Sequence, residues 1–198
     1  MGKVVAIVGS YRRGGITDQA VDAVLAGAEQ AGAKTHKIFL IEQQIEFCKN
    51  CRTCTQAPGE TRGGCVHKDD LDSLLREVEG ASAVVLGSPV NYYNVTAVFR
   101  RFMERLIGYT YWPWGEKLGP VMRVKTRTKK AVLVASSAMP GFLIPFATGA
   151  ARALKLTAKM VGAKPVGRLW IGMRGAAEKE ALPQRVLVKA MRLGRKLV

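Results

Sequence analysis

Residues 3–17 read KVVAIVGSYRRGGIT, and this stretch decides the fold. Lys3–Val8 is a continuous apolar run rich in β-branched residues, the pattern of a strand buried on both faces. The loop Gly9–Thr17 interrupts it. Asp18–Ala31 (DQAVDAVLAGAEQA) then places apolar residues at helical spacing, and Gly32 ends that helix. Strand, glycine-bearing loop and helix form the repeating unit of a parallel sheet covered on both sides.

The same unit recurs along the chain. His36–Leu40, Ala83–Leu86, Lys130–Ala135 and Pro165–Ile171 read as further strands. Asp69–Val78, Val95–Leu106, Ala147–Val161 and Pro183–Leu197 read as helices, the first with an acidic initial turn that suits the positive end of its dipole. Two segments stand outside the alternation: a cysteine-rich loop at 45–67 and an aromatic and basic excursion at 108–127. The expectation is one α/β domain over 1–198, a doubly wound five-stranded parallel sheet with helices on both faces. Its 198 residues, 48% hydrophobic and 23% charged, are ordinary globular composition and argue against disorder.

No run approaches the roughly 18–20 apolar residues of a membrane span. The opening MGKVVAIVGS is too short for a signal peptide and reads as a buried first strand, so a cytoplasmic location is expected. The formal charge is +16 and it is lopsided. Residues 1–116 hold 13 basic and 13 acidic side chains, whereas 117–198 hold 18 and 2. Such a half either recruits an acidic partner or is a solvated face that aids solubility.

Ligands of doubly wound sheets bind at the carboxyl ends of the strands. The first such loop, GSYRRGGIT, is neither a Walker loop nor a dinucleotide fingerprint: Gly15 and Ile16 stand where Lys and Ser/Thr would be needed, and G-x-G-x-x-G is absent. It does bring the hydroxyls of Ser10 and Thr17, a guanidinium from Arg12 or Arg13, and small glycines to a helix N-terminus, a set that favours a phosphomonoester dianion. A plain turn with Thr17 as helix cap is the alternative. The second loop, SPVNYYNVTA, offers Tyr92 and Tyr93 to flank a planar ring and Asn91 and Asn94 for amide hydrogen bonds. The third, SSAMPG, leaves room for a flat ligand.

All four cysteines lie between Cys48 and Cys65. Clustering of this kind favours metal or redox chemistry over structural disulfides. C-x-x-C-x-x-C at Cys48, Cys51 and Cys54 followed by Cys65 is a spacing that wraps a [4Fe–4S] cluster. Zinc on the four thiolates, or on three with His67, a redox disulfide, and inert thiols remain open.

GSYRRGGIT, GSPVNYYNVTAVFRRFMER and SSAMPG, in this order, resemble the NADPH-dependent FMN reductase family, and the cysteines resemble its iron–sulfur flavoprotein branch. The resemblance implies a flavodoxin-like fold and an FMN-dependent oxidoreductase with NAD(P)H or a reduced protein carrier as donor. It implies that Ser10, Arg12 and Thr17, with Gly15 and Ile16 between them, hold the FMN phosphate. Pro89, Val90, Asn91, Tyr92, Tyr93 and Asn94 would line one side of the flavin ring, and Ser136, Ser137 and Ala138 the other. Hydride chemistry belongs to the flavin, so no protein side chain is singled out as catalytic. Three further expectations follow: FMN in place of FAD, a homo-dimer or tetramer using the aromatic segment Tyr109–Trp114, and an acidic electron-transfer protein such as ferredoxin as partner. A flavodoxin-like carrier without its own substrate is the alternative, though flavodoxins are typically acidic. A nucleic-acid-binding module would leave the three loops unexplained and lacks a recognition motif.

Overall fold

The computed structural model describes residues 2–177 and 179–198. The elements begin β1 (Lys3–Val8), α1 (Ile16–Gln30), β2 (Lys34–Phe39), α2 (Leu71–Glu79), β3 (Ala83–Pro89) and α3 (Ala97–Arg105). They continue with the two-residue strands β4 (Thr110–Tyr111) and β5 (Val121–Met122), then β6 (Lys129–Ser136), α4 (Ile144–Ala147), α5 (Ala150–Met160), β7 (Ala163–Ile171) and α6 (Gln184–Arg195).

Five strands form one parallel sheet in the order β2-β1-β3-β6-β7, the flavodoxin-like arrangement expected from the sequence. The chain works outward from β1 in both directions, so the topological switch point lies between β1 and β3. The apolar run of β1 is explained by two cores. Val4, Ala6 and Val8 pack with Val21 and Val24 of α1 and Leu193 of α6. Val5 and Ile7 pack with Leu75 of α2, Phe99 and Phe102 of α3 and Leu154 of α5. Val4–Val8 have no accessible surface, and burying each of the valine and isoleucine side chains among them contributes about 1.5–3 kcal/mol.

Several boundaries differ from the sequence reading for local reasons. β2 starts at Lys34, two residues early, because Lys3 and Val4 of β1 extend the pairing to Lys34 and Thr35. The helix expected over 147–161 is divided: Thr148 is extended (φ −136°, ψ 156°) between α4 and α5. The excursion closes on itself as the antiparallel pair β4–β5.

α6 lies across α1 with backbone against backbone. A Cβ on Gly194 would sit 1.9 Å from the Val24 carbonyl oxygen, and one on Gly27 2.0 Å from that of Met191. Among the described residues no helix is long and apolar enough to cross a membrane.

Candidate functional site

A cleft of 380 Å³ opens at the carboxyl edge, over the switch point. The first loop supplies Ser10, Arg12, Gly15, Ile16 and Thr17 to its lining. The second supplies Pro89, Val90 and Asn91, and the third Ser136, Ser137 and Ala138. Gly15 is the N-cap of α1, and no side chain caps that end. The first-turn amides, which have no partner within a helix, are thereby left to a ligand. The alternative of a turn capped by Thr17 is not what forms: Thr17 lies inside the helix, and its hydroxyl meets the Ser136 hydroxyl at 2.7 Å.

Charge in this loop is selectively neutralised. Asp18 accepts from the Gly14 amide at 2.7 Å and from the Lys37 ammonium at 2.7 Å. Burial pulls the Lys37 ammonium down, but hydrogen bonds to Asp18 and Asp22 outweigh it and hold its pKa above the usual value. Arg13 is bound to Glu42 at 2.6 Å. Arg12 has no carboxylate partner among the described residues, so of this loop's two guanidiniums it is the one left for an anion.

Tyr92, Tyr93 and Asn94 are not in the lining. Asn91 and Asn94 exchange both backbone hydrogen bonds around a tight turn, with Tyr92 (φ 44°) and Tyr93 (φ 62°) left-handed at its tip. Tyr92 is 99% exposed and Tyr93 66%. Asn94 Oδ1 accepts from the Val95 amide and the side chain abuts Gly149, so it fixes the loop.

The sequence reading missed a fourth contributor. The loop after β7 adds Arg174, Gly175, Ala177 and Glu180 to the lining, and the first loop also adds Tyr11. The loops after β6 and β7 are held together by Ser137 N–H to Ile171 O, Arg174 N–H to Ser137 O and Met173 N–H to Met139 O. The signal was available: GMRG follows the last strand at the ligand-binding edge.

Cys48, Cys51, Cys54 and Cys65 line a second, smaller cavity of 60 Å³ with His67, Arg105 and Trp112, and all four are free thiols. The two cavities share no residue. Among the described residues, no three His, Cys, Asp or Glu side chains converge on a point where one ion would sit. Burial, reinforced by the sulfurs of Cys65, Cys48 and Cys51, pushes the Cys54 thiol up, while hydrogen bonding from Thr53 pulls the exposed Cys51 thiol down.

Arginines hold this loop. Arg123, 7% exposed, donates to the carbonyls of Cys54 (3.3 Å), Ala57 (2.8 Å), Gly59 (3.0 Å) and Thr110 (3.1 Å). Arg52 is sandwiched between Trp112 and Trp114, 3.6 and 4.1 Å from their ring centroids, and donates to the Trp112 and Pro113 carbonyls. Arg62 pairs with Asp72 and Glu79. The aromatic segment 109–114 is thus largely committed to the cysteine loop: Tyr109 is buried and Trp112 stacked, while Trp114 is 65% exposed. Every non-glycine residue with positive φ among the described residues lies in one of the two loop systems: Asn50 and Arg52 here, Tyr92, Tyr93 and Met173 around the first cleft.

The basic half divides. Arg152, Lys155 and Lys159 form an exposed stripe on α5, and Arg185, Lys189, Arg192 and Lys196 another on α6. α5 and α6 cover opposite faces of the sheet. Among the described residues, no salt bridge involves a basic residue of 117–198.

Residues 2–154 match the model of the NADPH-dependent FMN reductase family. Over 111 residues the chain is 39% identical to an iron-sulfur flavoprotein of Archaeoglobus fulgidus, covering 56% of this chain and 48% of that one. The chain spans about half the length of the curated relatives it matches. An NAD(P)H:quinone oxidoreductase from Methanothermobacter marburgensis superposes with a TM-score of 0.73 at 18% identity, over 100% of this chain and 99% of that one. A flavodoxin from the domain Archaea gives 0.57 at 14% identity, over 98% and 95%. These two likenesses are of fold.

Proposed function

The chain belongs to the NADPH-dependent FMN reductase family, and from that membership we propose that it is an FMN-dependent oxidoreductase moving electrons between NAD(P)H, or a reduced protein carrier, and an acceptor. The observation that carries this is the uncapped N-terminus of α1, opening with Ser10, Thr17 and Arg12, which has no carboxylate partner among the described residues, into a cleft at the switch point. The cleft fits a flavin mononucleotide: a terminal phosphate at the helix amides, and a flat ring between Pro89–Asn91 and Ser136–Ala138. Bound FMN would supply the hydride and single-electron chemistry. The protein's part is to hold the phosphate, orient the ring and shape access to it. Tyr92 and Tyr93 stand clear of the lining, so their part is at the rim.

Arg12→Ala is expected to weaken FMN binding by about 1.5–3 kcal/mol, a factor of roughly 10 to 150, measured by titration of the apoprotein. Unchanged affinity would remove Arg12 from the phosphate site. Release of FAD, or no flavin uptake at all, would overturn the cofactor assignment.

The cysteine cavity is proposed to hold a [4Fe–4S] cluster, which would supply one-electron steps to or from the flavin. Its support is that the four cysteines, in the order C-x-x-C-x-x-C and then Cys65, line one cavity.

A homo-dimer or tetramer belongs to the same proposal, with exposed Tyr92, Tyr93, Phe142 and Phe146 as candidate contact surface. A sedimentation mass of one chain at micromolar concentration, FMN bound, would remove it.

An acidic electron-transfer protein such as ferredoxin is proposed as partner, because 117–198 carry 18 basic and 2 acidic residues and, among the described residues, no basic side chain there is in a salt bridge. The placement of α5 and α6 sharpens the test, since one docked partner can face only one stripe. Electron-transfer rates would be compared at about 0.05 and 0.5 M salt. Charge reversal at Arg152, Lys155 and Lys159 would be set against reversal at Arg185, Lys189 and Arg192. One set should slow the salt-sensitive rate roughly tenfold or more and the other much less. Indifference to salt and to both sets would leave the basic half as a solvated surface.

A further inference from the structure

α3 spans the distance between the two cavities. The hydroxyl of its N-cap Thr96 accepts from the Phe99 amide and donates to the Gly9 carbonyl at 2.5 Å, at the base of the first loop. Its last residue, Arg105, lines the cysteine cavity and is 5% exposed. Arg105 Nη1 donates to Asp69 Oδ2 at 2.7 Å and to the Glu46 carbonyl at 2.6 Å. Nη2 reaches Asp69 Oδ1 and Cys65 Sγ, both at 3.3 Å. Nε is buried with no partner.

Stability alone does not call for this arrangement. Taking an ion pair out of water costs several kcal/mol per ion, and a well-packed apolar pair often does as well. A guanidinium is a rigid fork: it meets Asp69 at two points, and its second arm is shared between Asp69 Oδ1 and the Cys65 sulfur, which a lysine could not do. A thiol accepts hydrogen bonds weakly, whereas a ligating cysteine is a thiolate and gains more from a charged donor. Hydrogen bonds to the sulfurs are among the determinants of iron–sulfur potentials. The donor favours the more negative, reduced state.

We propose that Arg105 is a positioning residue for the iron–sulfur centre: it orients Cys65 and raises the reduction potential through its Nη2–H···Sγ bond. This rests on the cluster assigned to the cysteine cavity above.

The test uses the full chain reconstituted anaerobically with iron and sulfide, as wild type, Arg105→Lys, Arg105→Gln and Asp69→Asn. Each would be titrated reductively and followed by electron paramagnetic resonance and visible absorbance. Arg105→Lys keeps the charge facing Asp69 but has no fork to share with Cys65. It should keep about four irons and lower the reduction equilibrium roughly tenfold, which is about 59 mV for one electron. Arg105→Gln should shift it in the same direction if it folds; Arg105→Lys decides if it does not. Asp69→Asn breaks the ion pair but leaves the donor to sulfur, and should not lower the potential. Equal potentials in wild type and Arg105→Lys would overturn the proposal. So would Asp69→Asn lowering the potential as far as Arg105→Lys does, as a merely structural ion pair requires. A wild-type chain that takes up no iron would instead overturn the cluster itself.

Discussion

Gly194→Ala is expected to destabilise the protein by about 2–3 kcal/mol, and Gly194→Val by more, in urea unfolding. Helix propensity alone predicts the opposite sign, since alanine gains about 1 kcal/mol over glycine inside a helix. The packing of α1 on α6 decides against propensity. A Cβ on Gly194 would lie 1.9 Å from the Val24 carbonyl oxygen and 2.8 Å from the Ala28 amide nitrogen. Both neighbours are backbone atoms of a helix and cannot rotate aside, so the helices must separate. Separation loosens Val21, Val24, Ala190 and Leu193, which share the core that α1 and α6 form on β1. Gly27 faces Met191 in the same way, so Gly27→Ala should behave alike. A Gly194→Ala protein as stable as wild type would mean that the helices do not meet backbone to backbone.

That contact was not legible in the sequence, and the reason is physical. LGRKL around Gly194 reads as a fraying helix end, because a glycine's value as a flat surface depends on what crosses it. The sheet was legible for the converse reason: strands buried on both faces carry their environment in their own composition. The first loop was legible as part of the cleft because hydroxyls, glycines and arginines at a helix start have few other joint uses. Tyr92 and Tyr93 stand at the tip of a left-handed turn that the sequence did not announce, because φ is not written in a tyrosine. Arg123 misled. It lies in a basic stretch that resembles a solvated face, yet it is buried against four carbonyls of the excursion and the cysteine loop. Summed charge locates a partner poorly for the same reason: among the basic residues of 117–198, Arg123 is interior, Arg174 lines the first cleft, and those of α5 and α6 lie on opposite faces of the sheet.

Cys54→Ser is expected to take the iron of the anaerobically reconstituted protein from about four per chain to near zero, while FMN still binds. Cys54 is the cysteine whose backbone the loop's anchors hold, since its carbonyl accepts from Arg123 and lies where a Cβ on Gly63 would be 1.8 Å away. In a zinc finger, ligation is the folding energy, and a missing ligand unfolds the domain. Here Arg123, Arg62 and the Arg52 stack hold the loop through carbonyls, carboxylates and indole rings, none of which is a thiol. Without iron and sulfide, the variant should therefore melt within about 4 °C of wild type, the shift of roughly 1 kcal/mol for a chain of this size. Flavin affinity should be unchanged, because the two cavities share no residue. The rival assignments separate cleanly in the wild type. Stoichiometric zinc with near-zero iron would install the mononuclear site. Loss of two titratable thiols in air, with no metal, would install a redox disulfide. Four free thiols after reconstitution, with Cys54→Ser indistinguishable from wild type, would leave them inert. An apo variant that unfolds would show that the arginine struts do not suffice and that the loop needs its sulfurs to fold.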